Sequence, residues 1–198
     1  RQDFDSWQTW AVNKKIHKDV VGYLSYAKQD MFDFDPKSAS RAFATPRSWS
    51  FVSDFLYDED ASDAELTDLI AGTVGEGLAV KFMAHRKVAG QMPNPGDVLS
   101  GKVKELKVKE VSAMYSLTVS LCYELRDAKE SKIPADDMNK MTDNFITYMM
   151  KNFETELVIM GTKIALATYR LPLDVDQINC FMDFHKKYGK YIAAATDN

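Results

Sequence analysis

The chain has 198 residues, of which 45% are hydrophobic and 12% aromatic, and its formal net charge is -4. This hydrophobic content supports a packed core and excludes bulk disorder. The mild acidity argues against a dedicated nucleic-acid-binding protein, which carries a basic excess on one face. No apolar run approaches the roughly 18 residues that a membrane span needs, so we expect no membrane-spanning segment.

Most segments between the prolines and glycines place apolar residues three or four positions apart, which is the period of an amphipathic helix. In chain order, this pattern predicts helices over residues 3–15, 17–32, 46–57, 62–71, 74–90, 110–130, 134–153, 156–169 and 175–191. Alternating, β-branched runs bounded by hairpin turns are absent from the sequence. The prediction is an all-α fold, a helical bundle followed by a second helical region, with no substantial sheet.

A connector is predicted over residues 91–108, because the stretch MPNPG at 92–96 is rich in residues that interrupt helices. We expect at most one short helical turn there, around residues 97–99. The connector separates a domain of residues 1–90 from a helical region of residues 109–198. A G-x-x-x-x-G-K pattern runs from Gly96 to Lys102, but Val103 stands where a phosphate-binding loop needs a hydroxyl, so we reject that reading.

Several residues indicate where individual helices begin or meet. Ser62 and Glu65 stand three apart, as a capping box requires, and Ser6 or Asp5 is the expected cap of the first helix. Pro134 is expected at the first helical position. The glycines Gly72, Gly75 and Gly77 are expected to supply a turn or a close approach between two helices, because glycine takes positive φ freely.

The most informative helix start is at Thr45 and Pro46, which are a good N-cap and a good first helical residue. Arg47 then lies in the first turn, where a cation is unfavourable by about 0.3–1 kcal/mol. The position becomes favourable for a cation when the guanidinium and the free N–H groups bind the same anion. The position therefore indicates a phosphate or carboxylate contact. The alternative is a solvated arginine paired with Asp54 or Asp58.

The residues around this helix start resemble a known family. Residues 43–49 (FATPRSW), followed by Val52 and Ser53, are similar to the segment that opens the lid helix of MoxR-like AAA+ ATPases. The similarity extends to residues 7–11 (WQTWA) and 16–24 (IHKDVVGYL) upstream, and to residues 69–82 (LIAGTVGEGLAVKF) and 93–101 (PNPGDVLSG) downstream. Residues 1–101 match in order and spacing, and beyond about residue 108 only the helical, tyrosine- and methionine-rich character agrees.

The resemblance implies that residues 1–90 form an AAA+ lid domain and residues 109–198 a helical accessory region. It makes Arg47 the sensor 2 residue, which reaches the terminal phosphates of ATP, and we expect the neighbouring Thr45 and Ser48 to contact the nucleotide with it. The family's P-loop, Walker B residues and sensor 1 are absent from the sequence. The resemblance therefore describes a C-terminal part that does not hydrolyse ATP alone and holds no nucleotide tightly.

For the complete protein, the resemblance implies ATP or ADP with Mg²⁺, a homo-oligomeric ring and chaperone-like remodelling. The expected partners are the nucleotide-binding half of the same protein and a protein with a von Willebrand A-type domain. Arg1 is not an initiating Met, which indicates an incomplete reading frame or a fragment of a larger protein. The alternative from a different functional class is a stand-alone helical interaction or scaffold protein that uses no nucleotide.

Cysteines and histidines offer little sign of other chemistry. Cys122 and Cys180 lie in apolar helical patterns and form no C-x-x-C pair, so we expect reduced core thiols in a cytoplasmic protein, with one disulfide as the alternative. His17, His85 and His185 are far apart, and none has a second ligand at metal-binding spacing. No metal site is predicted, and His17 is expected to open a helix.

Overall fold

A computed structural model of the chain describes residues 3–34, 42–58, 60–172 and 174–196, with side chains up to residue 191. Within these ranges the chain is all-α, as predicted, and the one strand-like feature is an isolated antiparallel bridge between Asp33 and Ala44. A 3₁₀ turn covers Lys28–Met31 and a π-helical segment covers Lys163–Thr168. The α-helices of the described residues are α1 Phe4–Asn13, α2 Lys18–Tyr26, α3 Pro46–Leu56, α4 Asp63–Val74, α5 Glu76–Ala89, α6 Pro95–Leu99, α7 Val111–Glu130, α8 Ala135–Asn152, α9 Thr155–Thr162 and α10 Phe181–Thr196.

The chain divides into two compact units. The first comprises Arg1–Gln91 with Glu110–Ser116, and the second comprises Met92–Lys109 with Leu117–Asn198. Nearly all of the predicted connector, residues 91–108, therefore packs as part of the second unit, and the start of α7 packs as part of the first.

A cluster of aromatic side chains forms the centre of the first unit. Tyr23, Trp49 and Phe82 are buried, and their ring centroids lie 5.4–5.6 Å apart. Such ring pairs add about 0.5–1.5 kcal/mol beyond the burial of their area. The Trp49 indole N–H also donates to the backbone oxygen of Asp30 at 2.9 Å. These contacts pack α3 against α2, α5 and the 3₁₀ turn near its start.

The start of α7 lies unusually close to α2 in the first unit. A Cβ atom built on Gly22 would lie 2.7 Å from the backbone Cα of Ser116. This distance is shorter than van der Waals contact, so a residue without a side chain is needed at position 22. The Ser116 hydroxyl in turn lies 2.7 Å from His85 Nε2 on α5.

In the second unit, two asparagines of α8 hold the segment that precedes α7. The side chain of Asn144 donates to the backbone oxygen of Leu99 at 2.8 Å. Asn152 accepts from the backbone N–H of Leu106 at 2.9 Å and donates to the oxygen of Lys104 at 3.1 Å. These hydrogen bonds attach the predicted connector to α8, although the connector contains little regular secondary structure.

Some helix ends differ from the sequence-based predictions. Asp3, rather than Ser6 or Asp5, caps α1, because its carboxylate accepts the backbone N–H of Ser6 at 3.3 Å. Pro134 takes the N-cap position and α8 begins one residue later.

The last helix also begins later than predicted, at residue 181 instead of 175. Asp143 of α8 accepts the backbone N–H of Cys180 at 3.0 Å and the amide of Asn179 at 3.1 Å. These two contacts hold the chain before Phe181 in a turn. Among the helices described, none combines the length and the apolar character needed to cross a bilayer.

Candidate functional site

An open groove of about 320 Å³ lies in the first unit, between the start of α3 and the end of α4. Its walls combine two aromatic rings, one guanidinium, three hydroxyl-bearing residues and a bare stretch of helix backbone. The lining residues are Ala42, Phe43, Thr45, Arg47, Ser48, Phe51, Gly72 and Thr73. All three nucleotide-contact residues predicted from the sequence, Thr45, Arg47 and Ser48, therefore face the same groove.

The start of α3 has the predicted cap. Thr45 is the N-cap and Pro46 the first helical residue. The Ser48 N–H donates to Thr45 Oγ1 at 3.0 Å, and the Thr45 N–H donates to Ser48 Oγ at 2.7 Å. This reciprocal pair is a capping box with serine in the third position. The cap therefore already uses the Ser48 N–H and both hydroxyls, which leaves the Arg47 guanidinium as the main candidate anion-binding group among the described residues of the groove.

Arg47 is exposed and projects from the first turn of α3. Its guanidinium carbon lies 6.0 Å from the centroid of the Phe51 ring, which is the outer limit of a cation–π contact. Within the described part of the chain, no carboxylate lies within ion-pair distance of Arg47, and this includes Asp54 and Asp58. The guanidinium therefore lies beside an aromatic ring, and no described carboxylate compensates its charge.

The three glycines of the 72–77 segment have different roles. Gly75 has φ of +102° and separates α4 from α5, which confirms the predicted turn. Gly72 lies within α4 and lines the groove, and a Cβ atom there would meet no atom of the described residues within 4 Å. Gly77 lies in the first turn of α5 with equally open space around it, but it does not line the groove.

Two histidines have structural roles in the first unit. His17 caps α2, since its Nδ1 accepts the backbone N–H of Asp19 at 3.2 Å, and this confirms that His17 opens a helix. His85 is buried and bonded to Ser116. Burial lowers the pKa of both imidazoles, because a low-dielectric surrounding disfavours the charged form.

The described residues give little indication of a metal site or a reactive thiol. No group of three or more histidine, cysteine, aspartate or glutamate side chains there could hold a metal ion. Both cysteines are free thiols, with Cys122 buried and Cys180 half-buried. Burial raises the pKa of Cys180 to about 11 and that of Cys122 further, so neither is an activated nucleophile.

Sequence reasoning did not identify Phe51, Gly72 and Thr73 as groove residues. The signal for Phe51 was available, because it stands four residues after Arg47 and helical side chains at that spacing are neighbours. Gly72 and Thr73 come from α4, and only the packing of α4 against α3 brings them to the groove.

No protein-family model matches the chain, and no curated protein or solved structure matches it either. The resemblance to the MoxR-like lid therefore depends on the sequence alone, on residues 7–11, 16–24, 43–49, 52–53, 69–82 and 93–101.

Proposed function

We propose that this chain is the helical lid and accessory region of a MoxR-like AAA+ ATPase, and that Arg47 contacts the terminal phosphates of ATP as its sensor 2 residue. The nucleotide and its Mg²⁺ would be held mainly by the nucleotide-binding half of the same protein. The bound nucleotide would supply a phosphoanhydride whose hydrolysis drives chaperone-like remodelling.

The observation that carries the proposal is that Arg47 lines an open groove and that no carboxylate of the described residues lies within ion-pair distance of it. A guanidinium has five N–H donors in a planar fork that suits phosphate oxygens. An acidic neighbour would compete with those oxygens, and the described residues place none within ion-pair distance. The Phe51 ring, 6.0 Å from the guanidinium carbon, is uncharged and does not compete for those oxygens.

The residues of the groove could bind one end of a nucleotide, but they do not form a complete nucleotide-binding site. One guanidinium cannot replace the cradle of backbone N–H groups that holds the phosphates in a P-loop. The capping box also removes the Ser48 N–H from the donors available at the start of α3. We therefore expect this chain alone to bind ATP weakly and to hydrolyse none.

The packing of α3 offers a route by which a phosphate contact at Arg47 would affect the neighbouring helices. The aromatic cluster of Tyr23, Trp49 and Phe82 joins α2, α3 and α5, so in this proposal the three helices would move with Arg47 as one body. Arg47 would stabilise charge on the terminal phosphate, and its contact would couple nucleotide state to rigid-body rotation of the lid. A homo-oligomeric ring, a von Willebrand A-type partner and a cytoplasmic location, which suits free thiols, belong to the same proposal.

The test compares Arg47→Ala and Arg47→Lys with the matched control Lys87→Ala in the full gene product. Lys87 is an exposed cation on α5, so its removal changes net charge equally. Charge-assisted hydrogen bonds contribute about 1.5–3 kcal/mol, and we expect Arg47→Ala to weaken ATP binding or slow turnover about 10- to 100-fold. Arg47→Lys should recover only part of the loss, because it lacks the fork. Unchanged ATP affinity and turnover in Arg47→Ala would remove the sensor 2 assignment.

The coding sequence upstream of Arg1 separates this proposal from a stand-alone scaffold. A G-x-x-x-x-G-K-[ST] motif followed by an acidic Walker B strand supports the ATPase. A start codon close to Arg1 supports the scaffold.

A further inference from the structure

We propose that His85 and Ser116 form a proton-sensitive latch: protonation of the His85 imidazole releases the start of α7, residues 111–116, from α2 and α5, while the rest of the first unit stays folded. His85 lies on α5 and Ser116 on α7. The latch uses neither the groove nor Arg47, so it is independent of the proposed nucleotide contact.

A single buried hydrogen bond closes the latch. His85 Nε2 lies 2.7 Å from the Ser116 hydroxyl, and only 6% and 4% of the surfaces of these residues are exposed. Ser116 also lies so close to α2 that a Cβ atom on Gly22 would be 2.7 Å from the Ser116 Cα. Because α2 leaves Ser116 no space to shift towards it, α7 relieves an unfavourable contact at His85 by moving away.

The second ring nitrogen makes the latch sensitive to protons. Among the described residues, the buried Nδ1 of His85 has no hydrogen-bond partner. A neutral imidazole carries one N–H, which either nitrogen can hold. A protonated imidazole carries two, so a buried N–H is then left without an acceptor. Such a group loses its hydration without compensation, and the protonated state therefore favours a structure in which water reaches His85.

The charged groups around His85 do not supply the missing acceptor. Two carboxylates interact with its charge, Asp19 of α2 and Glu110, which precedes α7. Asp19 is already paired with Arg86 at 2.8 Å, and the described residues place no carboxylate within ion-pair distance of His85. Tyr23 of α2 presents its ring to the imidazole at a centroid distance of 5.3 Å. Burial outweighs the two carboxylates and lowers the pKa of His85.

The centre of the first unit is formed by other helices. Its aromatic cluster of Tyr23, Trp49 and Phe82 joins α2, α3 and α5, and the Trp49 indole donates to the backbone oxygen of Asp30. None of these contacts uses a residue of α7. Opening of the latch therefore exposes the start of α7 and leaves this cluster in place.

Hydrogen–deuterium exchange followed by mass spectrometry measures this opening in the full gene product at pH 7.5 and 5.5, with rates corrected for the intrinsic pH dependence of exchange. Peptides that cover residues 111–116 report on the latch, and peptides that cover α3 are the internal reference. The protection factor of residues 111–116 should fall about three- to tenfold relative to α3 at the lower pH. The upper limit follows from uptake of one proton by an exposed imidazole with a pKa of 6.5.

Three variants assign the effect to the latch. His85→Gln removes the titrating group and should abolish the fall. His17→Gln removes the other histidine of the first unit and should keep it, which makes this variant the matched control. Ser116→Ala keeps both imidazoles and removes the hydrogen bond, so residues 111–116 should be less protected than in the unmodified protein already at pH 7.5. Circular dichroism checks that each variant keeps its helices.

Four outcomes would overturn the inference. They are no fall in the protection of residues 111–116, an equal fall in α3, a fall that persists in His85→Gln, and unchanged protection in Ser116→Ala at pH 7.5. The last outcome tests the latch even when His85→Gln does not fold. The results for Arg47 variants bear on the proposed function alone, so either proposal can fail without the other.

Discussion

The close approach of α2 to the start of α7 gives a prediction that is independent of function. In Gly22→Ala, the added Cβ would overlap Ser116 Oγ and would lie 2.7 Å from Ser116 Cα and 3.0 Å from Ser116 Cβ. A rotamer change can move the hydroxyl away, but it cannot move the Cα. The helices must therefore separate, and the buried contacts around them loosen.

Two effects set the magnitude of this change. Overpacking a well-packed interior costs about 1–3 kcal/mol, and a clash with backbone belongs at the upper end of that range. Alanine gains about 1 kcal/mol over glycine in helix propensity. We therefore expect Gly22→Ala to lower the free energy of unfolding by about 2 kcal/mol. Gly72→Ala gains the same helix propensity, and the described residues place no atom where its Cβ would lie. This variant should raise the free energy of unfolding by about 0.5–1 kcal/mol.

Urea denaturation followed by circular dichroism at neutral pH compares the two variants directly. The double variant Gly22→Ala/Ser116→Gly should recover only part of the loss, because the contact with the Cα at position 116 persists. If Gly22→Ala is as stable as Gly72→Ala, the described packing of α2 against the start of α7 is wrong.

Three further predictions concern pH, capping and thiol chemistry. Burial lowers the pKa of His85 and His17 from 6.5, so the unfolded chain binds protons that the folded chain does not. The free energy of unfolding should be constant above about pH 6.5 and should decrease as the pH is lowered from there. The decrease should be smaller in His85→Gln. Equal free energies of unfolding from urea titrations at pH 7.5 and 5.5 would contradict this. Ser62→Ala removes the cap of α4 and should cost about 1 kcal/mol by thermal unfolding, and a loss below about 0.3 kcal/mol would count against the cap. In the native protein, iodoacetamide should label Cys180 slowly and Cys122 not at all, as mass spectrometry can check; rapid labelling of Cys122 would refute its burial.

Features set by neighbouring residues were predictable from the sequence. The capping box of Ser62 and Glu65 is present, with the Ser62 N–H donating to the Glu65 carboxylate at 2.8 Å. The start of α3 at Thr45 and Pro46 was predicted in the same way, and so was a turn or close approach at Gly72, Gly75 and Gly77, of which Gly75 supplies the turn. Each depends on hydrogen bonds or backbone freedom within a few residues, so spacing alone identifies it.

Features that depend on distant residues were not predictable. The late start of α10 follows from Asp143, which lies 37 residues before Cys180. The bond between His85 and Ser116 spans 31 residues. The sequence predicted that Arg47 lies at the start of a helix, but only the packing of α3 and α4 shows that it faces an open groove beside Gly72.

The most direct test of the central proposal is a structure of the full gene product with a non-hydrolysable ATP analogue and Mg²⁺. We expect the Arg47 guanidinium to lie at hydrogen-bonding distance, about 2.7–2.9 Å, from oxygens of the terminal phosphate. A bound nucleotide whose phosphates contact no atom of Arg47, with the groove beside α3 open to solvent, would contradict the proposal.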